Sequence, residues 1–225
     1  MNFTSQVYTA ASGSIGGVTY SHNAGGMYTR ARAIPTNPNS PAQQAVRSAI
    51  SNASTAWAAL TPTNKALWDA YAASTPVKNK LGAWIFLSGR VHFLRSYVQR
   101  AALGVPMPAD APVTMGLTNL TDPVATITAP TTLSLAYTNT DTWAGAVGGF
   151  LFVYASRPQP PTVNFFKGPY RYSGAVAGAV VPPVSPMVMT LPFPCAATQR
   201  VFLRAIANDA EGRLSEACFL FDVAA

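Results

Sequence analysis

Residues 199–212 read QRVFLRAIANDAEG, and this stretch decides the class of the C-terminal half. After its first residues the run alternates between two faces as far as Ala207, which predicts a β-strand. The five residues that follow are polar and end in Gly212, as expected of a hairpin turn into a last strand.

The same pattern of short strands extends outward from this stretch. Residues 157–186 are read as one long loop, and six runs with alternating or continuous apolar residues are candidate strands: 125–128, 133–138, 149–156, 188–193, 199–208 and 217–223. Six or seven strands in about a hundred residues, with turn signals between them, predict a β-sandwich.

Residues 199–223 resemble the end of a fibronectin type III or immunoglobulin-like module. The resemblance rests on a long penultimate strand, a polar turn that contains Gly212, and Leu214-Ser215-Glu216 before the last strand. It implies a sandwich of that class. The chain departs from the class at Trp143, which lies in a loop-like stretch rather than in an early strand.

Residues 37–104 carry helix signals. Ser40, Pro41 and Gln43 form a cap, a first-turn proline and a capping-box glutamine, and Thr61-Pro62 repeats the cap and proline. A third helix is predicted over residues 83–103, with Gly104 as its left-handed stop. It carries one apolar stripe based on Trp84, and a second stripe formed by Phe86, Phe93 and Tyr97.

Residues 1–36 are predicted to form a glycine-rich hairpin arm with strands near residues 7–9, 17–20 and 27–34. Alternation places Tyr28, Arg30 and Arg32 on one face of its last strand. A two-stranded ribbon is marginal alone, so the arm must lie against the helices or pair with a neighbouring subunit. The predicted fold class is α+β multidomain: a hairpin arm over 1–36, a helical domain over 37–104, a proline-rich linker over 105–124 and an all-β immunoglobulin/fibronectin III-like sandwich over 125–225.

The net charge of +7 is concentrated in one half of the chain. Residues 1–104 hold nine basic side chains and one acid, whereas residues 105–225 hold six basic side chains and seven acids. This asymmetry predicts that the N-terminal half binds an anionic partner, which is nucleic acid, a membrane surface or an acidic protein lattice. Charged residues are only 10% of the chain, which suits a subunit of an assembly.

Three short helices cannot bury both stripes of the third helix, so we interpret the second stripe as a contact with another chain, the alternative being cover by the arm. In the long loop, the aromatic run at residues 164–172 is either an adhesive patch or a cover for one end of the sandwich. The predicted partner-binding residues are Tyr28, Arg30, Arg32, Arg47, Phe86, Arg90, Phe93, Tyr97, Phe165, Phe166, Tyr170 and Arg171.

Nothing in the sequence predicts catalysis. His22 and His92 are isolated, no phosphate-loop, dinucleotide or nucleophile-elbow motif occurs, and no cofactor or metal is expected. Cys195 and Cys218 are interpreted as buried thiols, the alternative being a pair across the sandwich. We predict a non-enzyme, made in a cytoplasm, with no membrane span and no secretory signal.

Residues 57–72 are similar to the core of an HMG box, in which a tryptophan and a capped helix precede a lysine and an aromatic residue. HMG boxes bind DNA with many basic residues, but only Lys65 lies in this stretch, with Arg47 in the helix before it. The favoured interpretation is a helix–turn–helix whose tryptophans fill a small core.

The chain more closely resembles a group of uncharacterised phage and prophage proteins. The resemblance rests on SGSIGGVTYS (residues 12–21), YTRAR (28–32), a proline-asparagine turn before Ser40, and the aromatic run at residues 164–171. It implies a virion structural protein that contacts the major capsid or other virion proteins in many copies or as a homo-oligomer. The first hypothesis is a capsid decoration or cement protein. The alternatives are a tail or neck protein whose sandwich contacts the host surface, and a DNA-associated protein.

Overall fold

The computed structural model describes residues 11–79 and 82–225. The chain divides into two compact units, Met1–Gln44 and Ala45–Ala225. The predicted strand at residues 7–9 and the basic residue Lys80 lie outside the described residues.

The described residues form three helices and twelve strands. The helices are α1 (Pro41–Ala59), α2 (Pro62–Ser74) and α3 (Gly89–Ala101). The strands are β1 (Gly13–Ile15), β2 (Val18–Asn23), β3 (Gly26–Ala31), β4 (Val77–Lys78), β5 (Trp84–Ile85), β6 (Val124–Thr128), β7 (Thr132–Ala136), β8 (Phe150–Ala155), β9 (Arg171–Ala177), β10 (Met187–Thr190), β11 (Arg200–Asn208) and β12 (Cys218–Val223). The architecture is α+β with antiparallel sheets, as predicted at that level.

The described part of the arm, residues 11–36, contains a three-stranded antiparallel sheet in the order β1-β2-β3 rather than a two-stranded ribbon. Two glycines with positive φ, Gly16 and Gly26, allow its tight turns. The last strand ends at Ala31, three residues earlier than the predicted end. None of residues 11–44 is buried.

The two helix starts predicted from capping are confirmed. The Ser40 amide donates to Oε1 of Gln43 and the Gln43 amide donates to Oγ of Ser40, which is a reciprocal capping box. Oγ1 of Thr61 accepts a 3.2 Å hydrogen bond from the Asn64 amide at the start of α2. Gly104 has a φ of 67° shortly after α3, as predicted for a helix stop.

The third helix begins at Gly89 instead of residue 83. The segment before it forms β5, which pairs with β4 in a two-stranded sheet. At Gly89 the chain passes so close to α2 that an added Cβ would lie 2.6 Å from the backbone nitrogen of Asp69. The Gly89 amide donates to the Asp69 carboxylate at 3.0 Å, and this contact with a distant residue helps to set the start of the helix.

The helices enclose a small aromatic core. Trp68 and Phe93 lie edge to face with ring centroids 5.5 Å apart, and the Trp57 ring lies 5.5 Å from Phe93. Tyr71 and Ala111 complete the buried cluster. The interpretation that tryptophans of residues 57–72 fill a small core is therefore confirmed.

The predicted linker does not separate two units, because it packs on α2. Nε1 of Trp68 donates to the Ala109 carbonyl oxygen, and the Tyr71 hydroxyl donates to the Gly116 carbonyl oxygen. Ala111 is buried. Residues 105–123 contain no helix or strand, but these contacts make them part of the same compact unit as the helices and the sandwich.

Two antiparallel sheets form the sandwich, in the orders β10-β7-β6 and β12-β11-β8-β9. All six predicted strands are present, shifted at their ends by at most a few residues. The prediction of one long loop over residues 157–186 was wrong, because β9 lies within it and pairs with β8. After Arg171 and Tyr172 the residues of β9 are mostly small and include Gly174, so they lack the alternation that predicts a strand. This strand is formed by pairing with β8.

The sandwich core lies between the sheets and includes Leu133, Leu151 and Leu203. Trp143 is fully buried there although its backbone is irregular. Its carbonyl oxygen lies so close to Gly149 and Gly178 that an added Cβ on either glycine would lie 2.1 Å from it. Both positions therefore require glycine.

Candidate functional site

The predicted partner-binding residues lie in three separate places. Tyr28, Arg30 and Arg32 are in or just after β3, while the helical group is on α1, on α3 and in the segment before α3. The third group precedes and begins β9. Each place is described separately below.

In the arm, strand register confirms that Tyr28 and Arg30 lie on one face, opposite Ser21 and Thr19 of β2. The Arg32 amide donates a 2.8 Å hydrogen bond to the Gly17 carbonyl oxygen, and its Nη1 donates to the Gly16 carbonyl oxygen at 3.4 Å. Arg30 and Arg32 are both exposed.

The arm also exposes aliphatic side chains that a stable sheet would bury. Ile15 is 77% exposed and Val18 is 37% exposed. The three strands are linked by a continuous antiparallel ladder. The arm therefore combines an ordered backbone with an uncovered mixed surface of aliphatic and basic groups.

The second stripe of α3 is not a free contact face. Phe93 is buried in the aromatic core described above, so its prediction as a partner contact is corrected. Tyr97 is half-buried with its ring 6.0 Å from that of Phe93. The prediction omitted α1 and α2 as possible cover, and Trp57 and Trp68 of these helices contact Phe93.

Other members of the helical group are accessible. Phe86, Arg90 and Arg47 are exposed. Phe86 lies between β5 and α3, outside the helix that the prediction assigned to it.

Arg100 of the basic half is internal, whereas Arg95 is half-buried. Arg100 is 3% exposed, and burial lowers the pKa of its guanidinium. Burial likewise lowers the pKa of Arg95. The Arg100 side chain is not placed to attract a distant anionic lattice, so part of the charge asymmetry serves the interior of the chain.

The aromatic run covers the outer face of the four-stranded sheet. The ring of Phe166 stacks on that of Phe202 of β11, with centroids 5.7 Å apart and an interplanar angle of 16°. Tyr170 packs on Phe219 of β12 and donates its hydroxyl to the Phe166 carbonyl oxygen. Phe166 and Tyr170 therefore cover a sheet face, whereas the alternative considered above was cover of one end of the sandwich.

Two residues of the same group stay accessible. Phe165 is 77% exposed, and Arg171 is exposed at the start of β9. Arg200 holds the run in place, since its Nη1 donates to the Val163 carbonyl oxygen and to Oδ1 of Asn164, both at 2.7 Å.

The prediction missed an exposed aromatic row on β12. Phe219 and Phe221 are 64% and 58% exposed, and both lie on the sheet face that carries Phe202 and Arg204. The guanidinium of Arg200 lies over the Phe221 ring at 4.9 Å. The alternation of residues 218–223 indicates that Phe219 and Phe221 share one face of the strand, but it does not indicate whether that face is buried or exposed.

The buried histidine and the two cysteines do not form a cluster. Burial and the nearby charge of Arg95 together lower the pKa of His92 to about 4, and the Nε2 atom has no hydrogen-bond partner among the described residues. Cys195 and Cys218 are free thiols, and burial raises the pKa of each. In residues 11–79 and 82–225 no group of three histidine, cysteine or acidic side chains is placed to hold a metal ion.

None of the helices in the described ranges has the length and apolar character needed to cross a bilayer. Comparison of the chain with protein-family models, with curated proteins and with solved structures finds no match.

Proposed function

We propose that this chain is a non-enzymatic structural subunit of a tailed-phage particle, most specifically a capsid decoration or cement protein that docks through its arm. One observation carries the proposal: the arm forms an ordered three-stranded sheet in which none of residues 11–40 is buried.

A sheet of three strands is stable when it buries an apolar face. The arm keeps Ile15 and Val18 exposed, and burying one such side chain contributes about 1.5–3 kcal/mol. A second protein that covers this face would supply the missing burial. A subunit whose exposed apolar side chains become buried only inside an assembly would have this property.

The charges of the arm favour an acidic partner surface. Arg30 and Arg32 are exposed, and Arg47 and Arg90 are exposed on the helices. Surface charges of one sign steer association with a surface of the opposite sign. An acidic outer face of a phage shell is such a surface.

Two other basic residues of the N-terminal half give less support to DNA association. Affinity for DNA grows with the number of phosphates that basic groups neutralise. Arg100 is buried, and Lys78 is paired with Glu216 at 3.1 Å. These two residues do not contribute free positive charge.

We also propose that the sandwich belongs to the fibronectin type III or immunoglobulin-like class and projects from the particle. Seven strands, β6 to β12, divided into antiparallel sheets of three and four, support the assignment. The exposed aromatic row on β12 would then face solvent or a further partner.

The test is deletion of residues 1–34 from the chain, followed by purification of particles and quantification of the subunit. We expect the truncated chain to fold and to be absent from particles. As a control, Arg157→Gln removes one exposed basic residue outside the arm and outside the predicted partner-binding set, and should leave incorporation unchanged. Normal incorporation of the truncated chain would refute the proposal.

Copy number separates the capsid from the neck. A cement protein is present at on the order of hundreds of copies, whereas a ring at the neck has about a dozen. Quantitative mass spectrometry of intact particles measures this ratio against the major shell protein.

A further inference from the structure

A groove separates α3 from the outer face of the four-stranded sheet, and we call it the arginine groove. Its volume is about 430 Å³. Its walls are aliphatic and comprise Ile50, Val91, Leu94, Val98, Ile206 and Leu214. Two guanidinium groups, those of Arg95 and Arg204, lie among these walls.

Neither arginine has an acidic partner within residues 11–79 and 82–225. Ion pairs among the described residues join Lys78 to Glu216 and Arg213 to Asp209 and Glu211. The Nε atom of Arg204 is buried and makes no hydrogen bond within the described ranges. Its guanidinium lies over the ring of Tyr154 at 5.9 Å, a contact that leaves its N–H donors unused.

The neutral side-chain oxygens that line the groove are already engaged. Oε1 of Gln99 accepts from the Tyr154 hydroxyl. The Ser215 hydroxyl accepts from the Ala207 amide and donates to the Glu216 carbonyl oxygen. The charged groups that line the groove are the two guanidinium groups.

Two partly buried cations without a counterion are costly, because their hydration is reduced and they repel each other. Burial lowers the pKa of Arg95, and the neighbouring charge of Arg204 lowers it further. A carboxylate would relieve both costs, since guanidinium groups bind carboxylates in a bidentate geometry.

The aliphatic walls restrict the kind of anion. Inorganic phosphate or a nucleic-acid backbone would leave the six apolar side chains uncovered, whereas a protein segment can bury them. Exposed Phe219 extends this apolar surface, because it lies directly opposite Arg204 on the neighbouring strand. The apolar surface thus continues past the groove, as a bound peptide segment requires.

We propose that the arginine groove is a binding site for a segment of a partner protein that presents an aspartate or glutamate between apolar side chains. The site is distinct from the arm, and it does not depend on the partner being a virion protein.

Fluorescence anisotropy of the full-length chain tests the site with a labelled peptide of alternating leucine and glutamate. The matched peptide carries glutamine in place of glutamate. We expect the glutamate peptide to bind at least about tenfold more tightly, because a hydrogen bond to a charged carboxylate is stronger than one to a neutral amide. Equal affinity for the two peptides, or no saturable binding at millimolar peptide, would overturn the proposal.

Variants assign the binding to the groove. Arg204→Gln and Arg95→Gln should each reduce the preference for glutamate by about tenfold, while Arg157→Gln, on an exposed site outside the groove, should preserve it. Thermal unfolding verifies that each variant is folded. If Arg204→Gln does not fold, Arg95→Gln alone tests whether the binding depends on the groove. If the folded arginine variants keep the full preference for the glutamate peptide, the proposal is wrong.

The same assay distinguishes other occupants. If duplex DNA competes more strongly than the unlabelled glutamate peptide, the groove binds nucleic acid and the proposal is contradicted. If the chain self-associates and Arg204→Gln abolishes this, the groove binds a second copy of the chain, which also contradicts the proposal. Because the arm is intact in every variant, failure here leaves the deletion test of residues 1–34 unaffected.

Discussion

Arg100 and Asn208 are joined by a buried hydrogen bond, in which Nη1 of the arginine donates to Oδ1 of the asparagine at 2.9 Å. The same guanidinium donates to the carbonyl oxygens of Asp209 and Gly148. Asn208 in turn donates to the Ser96 hydroxyl. This network links α3 to the end of β11 and joins the helices and the sandwich into one unit.

Replacing Arg100 should therefore destabilise the protein strongly. Arg100→Met keeps much of the side-chain volume but leaves several buried oxygens without donors, at about 1–3 kcal/mol for each group. We expect a loss of about 3 kcal/mol in the free energy of unfolding, measured by urea denaturation. Arg90→Met on the exposed face of the same helix is the control and should change it by less than about 0.5 kcal/mol. Equal effects of the two substitutions would contradict the assigned role.

Gly149 and Gly178 should not tolerate a methyl group. In each case the added Cβ would lie 2.1 Å from the Trp143 carbonyl oxygen, a backbone atom that cannot move without distorting the core. Gly149→Ala and Gly178→Ala are expected to cost about 1–3 kcal/mol or more. Gly145→Ala, whose Cβ would meet no atom within 4 Å, is the matched control and should be close to neutral. Calorimetric melting temperatures of the three variants provide the comparison.

The free energy of unfolding should decrease as the pH is lowered, because His92 titrates. Its pKa is about 4 in the folded chain and 6.5 in the unfolded chain, so the unfolded state binds more protons between these values. The contribution is complete above pH 6.5 and is lost as the pH falls towards 4, to the extent of about 3 kcal/mol. Buried Tyr71 packs on the imidazole at 5.4 Å, and its pKa is raised to about 12, so it stays neutral throughout this window.

Urea denaturation at several pH values measures this effect. Other carboxylates titrate in the same range, so the informative quantity is the difference between wild type and His92→Gln. That difference should be constant above pH 6.5 and change in favour of the variant below it. Parallel curves down to pH 4 would show that His92 has no such role.

The aromatic cover should be separable into a structural and an exposed residue. Phe166→Ala removes the ring that stacks on Phe202 and should destabilise the sandwich by about 1–2 kcal/mol, since Phe166 is half-buried. Phe165→Ala removes a neighbouring ring that is 77% exposed and should leave the free energy of unfolding unchanged. Chemical denaturation of both variants measures the two free energies of unfolding. A larger decrease in that free energy for Phe165→Ala than for Phe166→Ala would contradict the structure.

Local signals predicted the elements that depend on neighbouring residues. The capping box of Ser40 and Gln43 acts within one helical turn, so the start of α1 is readable without knowledge of the fold. The alternation of residues 200–208 likewise depends only on side chains pointing to opposite faces of one strand.

Prediction failed where a distant segment decides the structure. β9 has little β-sheet propensity of its own and exists because β8 offers it a pairing edge. The start of α3 depends on Asp69, twenty residues earlier in the chain. The burial of Phe93 depends on α1 and α2, which helical periodicity on α3 alone does not reveal.

The kinds of element, most of their positions and the excess of positive charge in the first 104 residues could be read from the residues alone. Which charges and rings are available for binding depends on the folded arrangement: Arg100 is buried and hydrogen-bonded to Asn208, 108 positions away, and Nε of Arg204 has no hydrogen-bond partner among the described residues. The reason is physical. Caps and strand alternation are set by hydrogen bonds and side-chain geometry within a few residues, whereas burial is set by segments that meet only after the chain has folded.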